Sequence, residues 1–209
     1  SGMTFKNPFN TSISTGTTYK DNIFLLKQTY DVGQKDSIVK DTVTTYMFYP
    51  RLRFQNEIKY KTSQFLFNDQ NPDSAGYRNY FNYALPVGKE MTFQDNWKVL
   101  NDEFSLISYP QKNNSNQFLQ LATGYINYTA TFPNQSGWNN YDLYAFAVYK
   151  NKTRNQLWDM LASGKLYING FHSGDYEAKV YLSRILNTKG NYMKLSFQNY
   201  NRTPSANLL

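Results

Sequence analysis

The chain has 209 residues, 40% of them hydrophobic, with a formal net charge of +7 and a mean hydropathy of −0.67. It has no cysteine and one histidine, which excludes disulfides and thiolate metal sites and would leave a zinc ion mostly carboxylate ligands. No run of about 18 apolar residues occurs, so no transmembrane helix is encoded, and the 22 Lys and Arg are spread singly instead of clustered as nucleic-acid binding requires.

Aromatic residues make up 18% of the chain, with 19 Tyr, 15 Phe and 3 Trp. Tyrosine pairs an apolar ring with a hydrated tip, which suits strand surfaces and membrane-interface belts. The start, Ser1-Gly2-Met3, carries neither the charged segment nor the apolar segment of a signal peptide. From there the dominant signal is period-two alternation, the mark of a strand with two unlike faces.

Phe24, Leu26, Tyr30 and Val32 alternate with Leu25, Lys27, Thr29 and Asp31. Between residues 48 and 61, Phe48, Pro50, Leu52, Phe54, Ile58 and Tyr60 share one side, interrupted by Asn56, and Tyr49, Arg51, Arg53, Gln55, Glu57, Lys59 and Lys61 the other. Asn68 to Asp73 reads as a loop. Phe93, Trp97 and Val99 then alternate with Gln94, Asn96 and Lys98, and Pro110 to Asn116 forms the next loop.

The series Phe118, Ala122, Gly124, Ile126, Tyr128, Ala130 and Phe132 opposes Thr123, Asn127, Thr129 and Thr131, ahead of a loop over Pro133 to Asn140. Trp158, Met160, Ala162, Gly164, Leu166 and Ile168 oppose Asp159, Ser163, Lys165 and Asn169. Asn169-Gly170 and Ser173-Gly174-Asp175 bracket a tight turn. Tyr176, Ala178, Val180 and Leu182 oppose Asp175, Glu177, Lys179 and Ser183. After the turn Lys189-Gly190-Asn191, Met193, Leu195 and Phe197 oppose Lys194, Ser196 and Gln198.

Runs such as 48–61 and 118–132 exceed the roughly 5–6 residues of a globular strand, and long alternating strands are what a membrane barrel requires. In a barrel the polar sides line the lumen. The candidate lining residues are Arg51, Arg53, Glu57, Lys59, Lys61, Lys98, Asp159, Lys165, Asp175, Glu177, Lys179 and Lys194. Basic residues outnumber acidic ones in that set, which favours anions in a confined pore.

No catalytic constellation is legible. His172 sits in the turn Gly170-Phe171-His172-Ser173-Gly174 and reads as a solvated turn-tip histidine. Asp102 and Glu103 are adjacent, so on a strand they point to opposite faces and form no glycosidase pair with each other. No phosphate-binding glycine loop is present.

Three stretches resemble a porin family of Bacteroidetes-type bacteria. They are Asn22-Ile23-Phe24-Leu25-Leu26-Lys27-Gln28-Thr29-Tyr30 with Val32-Gly33 and Asp36-Ser37; Tyr149 to Asp159 running on through Ala162 to Tyr167 and Gly174-Asp175-Tyr176; and Phe197-Gln198-Asn199-Tyr200-Asn201-Arg202-Thr203-Pro204-Ser205. The resemblance implies an outer-membrane β-barrel with no assigned substrate, no cofactor and no catalytic residues. Chains of that family run longer and continue past Asn-Arg-Thr-Pro-Ser. This one stops at Leu208-Leu209 without the terminal aromatic residue of many outer-membrane barrels, so it is expected to be part of a longer chain.

The expected fold is all-β: residues 1–209 as one antiparallel transmembrane β-barrel domain, whole or partial, of roughly nine to eleven strands at about 20 residues per strand and connection. The expected function is passive passage of small hydrophilic solutes across a bacterial outer membrane, without enzymatic activity. Outer-membrane lipid is the expected partner, joined by other envelope proteins or a second copy, and nucleic acid is not. Two alternatives stay open: a non-conducting barrel serving an envelope complex, and a soluble β-sandwich that binds glycans.

Overall fold

A computed structural model describes residues 15–40, 42–70, 72–81, 90–112, 114–133, 137–186 and 190–204. The Ser1-Gly2-Met3 start, Ser205, the Leu208-Leu209 end and parts of four turn readings (Asn71, Asn113, residues 134–136 and Lys189) lie outside them. Among the described residues eight strands form one sheet: β1 Thr15–Lys40, β2 Val43–Asp69, β3 Met91–Ser108, β4 Phe118–Thr131, β5 Trp138–Lys152, β6 Trp158–Gly170, β7 Tyr176–Ile185 and β8 Tyr192–Asn201. Each pairs with its neighbour in chain order, from β1 at one edge to β8 at the other, and the sheet is not closed among the described residues. The spacing rule yields more strands because it allots about 20 residues to each, whereas β1 and β2 run 26 and 27 residues.

A short helix, α1 Ser74–Phe81, lies in the β2–β3 connection. The Asp73 carboxylate accepts from the Ala75 amide at 3.1 Å and satisfies one of the free N–H groups at the helix start. The sequence reading leaves this segment without an element.

The described residues fall into two compact units. One is drawn from Ser1–Ile23, Lys61–Lys98 and Thr129–Asn139, the other from Phe24–Tyr60, Val99–Tyr128 and Asn140–Leu209. The first unit is built on aromatic contacts. Tyr19 meets Phe65 at 5.1 Å, Phe65 meets Phe93 at 6.1 Å, and Trp97 lies 5.6 Å from Phe132 and 5.7 Å from Trp138. Edge-to-face and tilted pairs of this kind add to burial.

The second unit shows how alternation sorts side chains. Between β5 and β8 the register aligns Asn151–Met160–Leu182–Leu195, then Tyr149–Ala162–Val180–Phe197, then Ala147–Gly164–Ala178–Asn199. Offset by one residue are Lys152–Asp159–Ser183–Lys194, Val148–Ser163–Lys179–Gln198 and Phe146–Lys165–Glu177–Tyr200. One face is therefore mainly apolar and the other mainly polar over β6 to β8, while β5 places Phe146 and Val148 on the polar side and Asn151 on the apolar one.

Burial runs against the usual order of a soluble core. Leu195 and Phe197 on the apolar face are more than 60% exposed, while Asp142 and Tyr144 are buried almost completely. The β4 series corrects its expected place in an apolar band. Ala122, Ile126 and Ala130 are buried, and the Gly124 backbone lies against the Tyr144 ring. Leu119, Leu121 and Tyr125 are the exposed apolar residues of that strand. The small residues of β4 make room for a tyrosine.

Candidate functional site

The polar face of the second unit gathers most of the candidate lining residues. Asp159, Lys165, Glu177, Lys179 and Lys194 belong to the three polar rows. Glu177 is the anchor among them, forming ion pairs with Lys179 and with Arg202 beyond the end of β8. Lys165 projects over two rings, with its Nζ 3.7 Å from the Tyr144 centroid and 4.6 Å from that of Tyr167.

On β2, Arg53 forms a two-pronged pair with Asp31 of β1, at 2.7 Å from Nε and 2.8 Å from Nη2, and its guanidinium faces the Tyr109 ring at 5.9 Å. Glu57 is 3.9 Å from Lys27. Lys61 pairs with Asp21 at 3.5 Å within the first unit. Lys112 pairs with Asp36. Among the described residues Arg51 and Lys59 form no ion pair. The sequence thus finds the charged face but not that most of its carboxylates are already engaged.

Two further candidate residues, Lys98 and Asp175, lie outside these rows. Lys98 lines a groove in the first unit with Lys20, Asn22, Thr62, Gln64, Asn96 and its neighbour Trp97. Asp175 precedes β7 and is 5% exposed. Its carboxylate accepts from the Thr203 amide at 2.8 Å and from the Thr203 hydroxyl at 3.0 Å. It fastens the chain after β8 to the β6–β7 turn. The stretches Gly174-Asp175-Tyr176 and Asn201-Arg202-Thr203 are therefore two halves of one physical latch.

A buried polar network missed by sequence reasoning centres on Tyr144. Its hydroxyl lies 2.8 Å from Glu103 Oε2 and 3.0 Å from Asn101 Oδ1, Ser105 donates to Glu103 at 3.4 Å, and Gln120 donates to Ser105 at 3.1 Å. Asp102, adjacent to Glu103, accepts from Asn56 at 2.7 Å. The two carboxylates turn to different partners, as alternation requires.

His172 is not solvated as its turn position suggests. Its side chain is 16% exposed, and Nδ1 is 2.5 Å from Oδ2 of the fully buried Asp142. Asp142 Oδ1 accepts the His172 amide at 2.8 Å, and Tyr128 hydrogen-bonds the same carboxylate. The imidazole packs against Phe171, Tyr167 and Tyr128 at 4.8, 5.6 and 6.0 Å. The turn crosses the start of β5 closely: Phe171 donates to the Tyr141 carbonyl at 2.9 Å, and Gly170 has φ +110, where a Cβ would strike that carbonyl.

A histidine–carboxylate pair can orient a base, but nucleophilic catalysis needs a hydroxyl or thiol on the second ring nitrogen. Among the described residues none is bonded there, and no group of three or more His, Asp or Glu could hold a metal ion. No described helix is long and apolar enough to cross a membrane. No family model matches the chain, and no curated protein or solved structure matches it either.

Proposed function

We propose that the sheet is wall material of a β-barrel in a bacterial outer membrane, with the apolar rows toward lipid and the polar rows toward an aqueous path for small hydrophilic solutes. The observation that carries this reading is the register of β6 to β8, which sets the apolar row Met160–Leu182–Leu195 beside the polar row Asp159–Ser183–Lys194 on the opposite face. Exposure of the apolar rows supports it, because such a face in water would drive association.

The dimensions support it too. From Trp158 to Leu166 the strand climbs about 26 Å at about 3.3 Å per residue, and a tilt of about 40° reduces this to about 20 Å, near the roughly 25 Å apolar band of such barrels. Amphipathic side chains flank the band. Trp158 carries the Arg184 guanidinium at 4.8 Å toward one end. Tyr125 stacks on Tyr141 at 6.0 Å, and Tyr176 pairs with Leu166, toward the other. These are the residues of interface girdles. A spanning sheet leaves no edge unpaired, so on this reading β1 and β8 meet further strands or each other.

Insertion into lipid vesicles followed by planar-bilayer recording tests the proposal. Stepwise conductance is the expected result, and a protein that stays in the aqueous phase without detergent contradicts it. The non-conducting alternative draws on the burial of Tyr144 and Asp142 on the polar face. Stable insertion with no conductance selects it.

A further inference from the structure

Most carboxylates on the polar face of the second unit are neutralised or bonded: Asp31 by Arg53, Glu57 by Lys27, Glu103 by the Tyr144 hydroxyl, Asp142 by His172, and Glu177 by Lys179 and Arg202. One region differs. A groove of about 480 Å³ between β5 and β8 is lined by Lys150, Asp159, Leu161, Tyr181, Ser183 and Lys194. Among the described residues neither Lys150 nor Lys194 has a carboxylate within ion-pair distance. The register places Asp159, Ser183 and Lys194 in one row, with Lys152 opposite Asp159, and Lys150, Leu161 and Tyr181 in the next.

We infer that this groove binds a small oxyanion that still carries a proton, hydrogen phosphate being the type. Two ammonium groups supply the attraction. The Ser183 hydroxyl can donate, and so can that of Tyr181, whose oxygen already accepts from Gln198 at 2.6 Å. Asp159 is the discriminating group. A carboxylate among the cations repels an anion with no hydrogen to offer, but accepts a hydrogen bond from a P–OH. Sulfate has no such proton at neutral pH, so the same groove rejects it. The inference deepens the reading of the polar face as the wall of an aqueous path, and rests on it only for the claim that the anion passes through.

The test is ³¹P NMR titration of the protein in a phosphate-free detergent with inorganic phosphate, with sulfate as competitor, beside conductance in phosphate gradients. Saturable phosphate binding is expected, with sulfate weaker. The double variant K150Q/K194Q, which removes both cations lining the groove, lowers phosphate affinity about tenfold or more. Asp159→Asn removes the preference over sulfate while binding persists, which a merely structural Asp159 would not do. Absent binding, or binding unchanged in K150Q/K194Q, overturns the inference. Binding without conductance supports the site and removes the passage reading. Conductance without saturable binding does the reverse.

Discussion

Val180 lies in the row Tyr149–Ala162–Val180–Phe197, in the middle of the proposed apolar band, and Tyr181 follows it on the polar face. Replacing each by arginine separates lipid from water at adjacent positions. An arginine facing the midplane of a bilayer costs about 2–4 kcal/mol in a barrel. At 1.4 kcal/mol per factor of ten, Val180→Arg lowers the folded-to-unfolded ratio about 30- to 700-fold. Tyr181→Arg gives up the Gln198 hydrogen bond, worth about 1 kcal/mol, and keeps its charge in water. The assay is urea titration of vesicle-inserted protein, following the loss of heat-modifiable mobility on gels. Equal losses for the two variants, or a larger loss for Tyr181→Arg, would refute the assignment of faces.

Other substitutions probe the interior and the latch. Gly124→Ala drives a methyl into the Tyr144 ring and costs about 1–3 kcal/mol by overpacking; adding Tyr144→Ala recovers part of that loss in a double-mutant cycle read by the same titration. Asp142→Ala removes the partner of the His172 ring and amide and costs about 1–3 kcal/mol, with faster protease cleavage of the 171–174 turn as its local sign. Thr203→Val deprives Asp175 of a donor and raises hydrogen exchange at the end of β8 while leaving β5 and β6 unchanged.

Where neighbouring residues differ in polarity, the sheet was legible from the chain. The alternations at 158–168, 176–183 and 193–198 are β6, β7 and β8, because the two faces of each strand carry side chains of different polarity. Strand β5 was not legible. Its stretch Tyr141-Asp142-Leu143-Tyr144-Ala145-Phe146-Ala147-Val148-Tyr149 carries aromatic or apolar residues on both faces, since Tyr144 and Phe146 fill the polar side. The same packing hid the network around Tyr144. Nothing within a few residues of Asp142 points to His172, 30 positions away, and only the β5–β6–β7 register joins them. Long-range pairing also decided the fate of Asp175, whose partner Thr203 follows β8.

The separation of faces is tested most directly by cysteine scanning, to which the cysteine-free chain contributes no background. Single cysteines at 179 to 183 on β7 and 194 to 197 on β8 are exposed, in intact vesicles, to a membrane-impermeant maleimide and to a lipid-soluble one. Labelling is expected to alternate. Positions 180, 182, 195 and 197 react with the lipid-soluble reagent, and 179, 181, 183, 194 and 196 react with the aqueous one. Uniform aqueous labelling along both strands would contradict it.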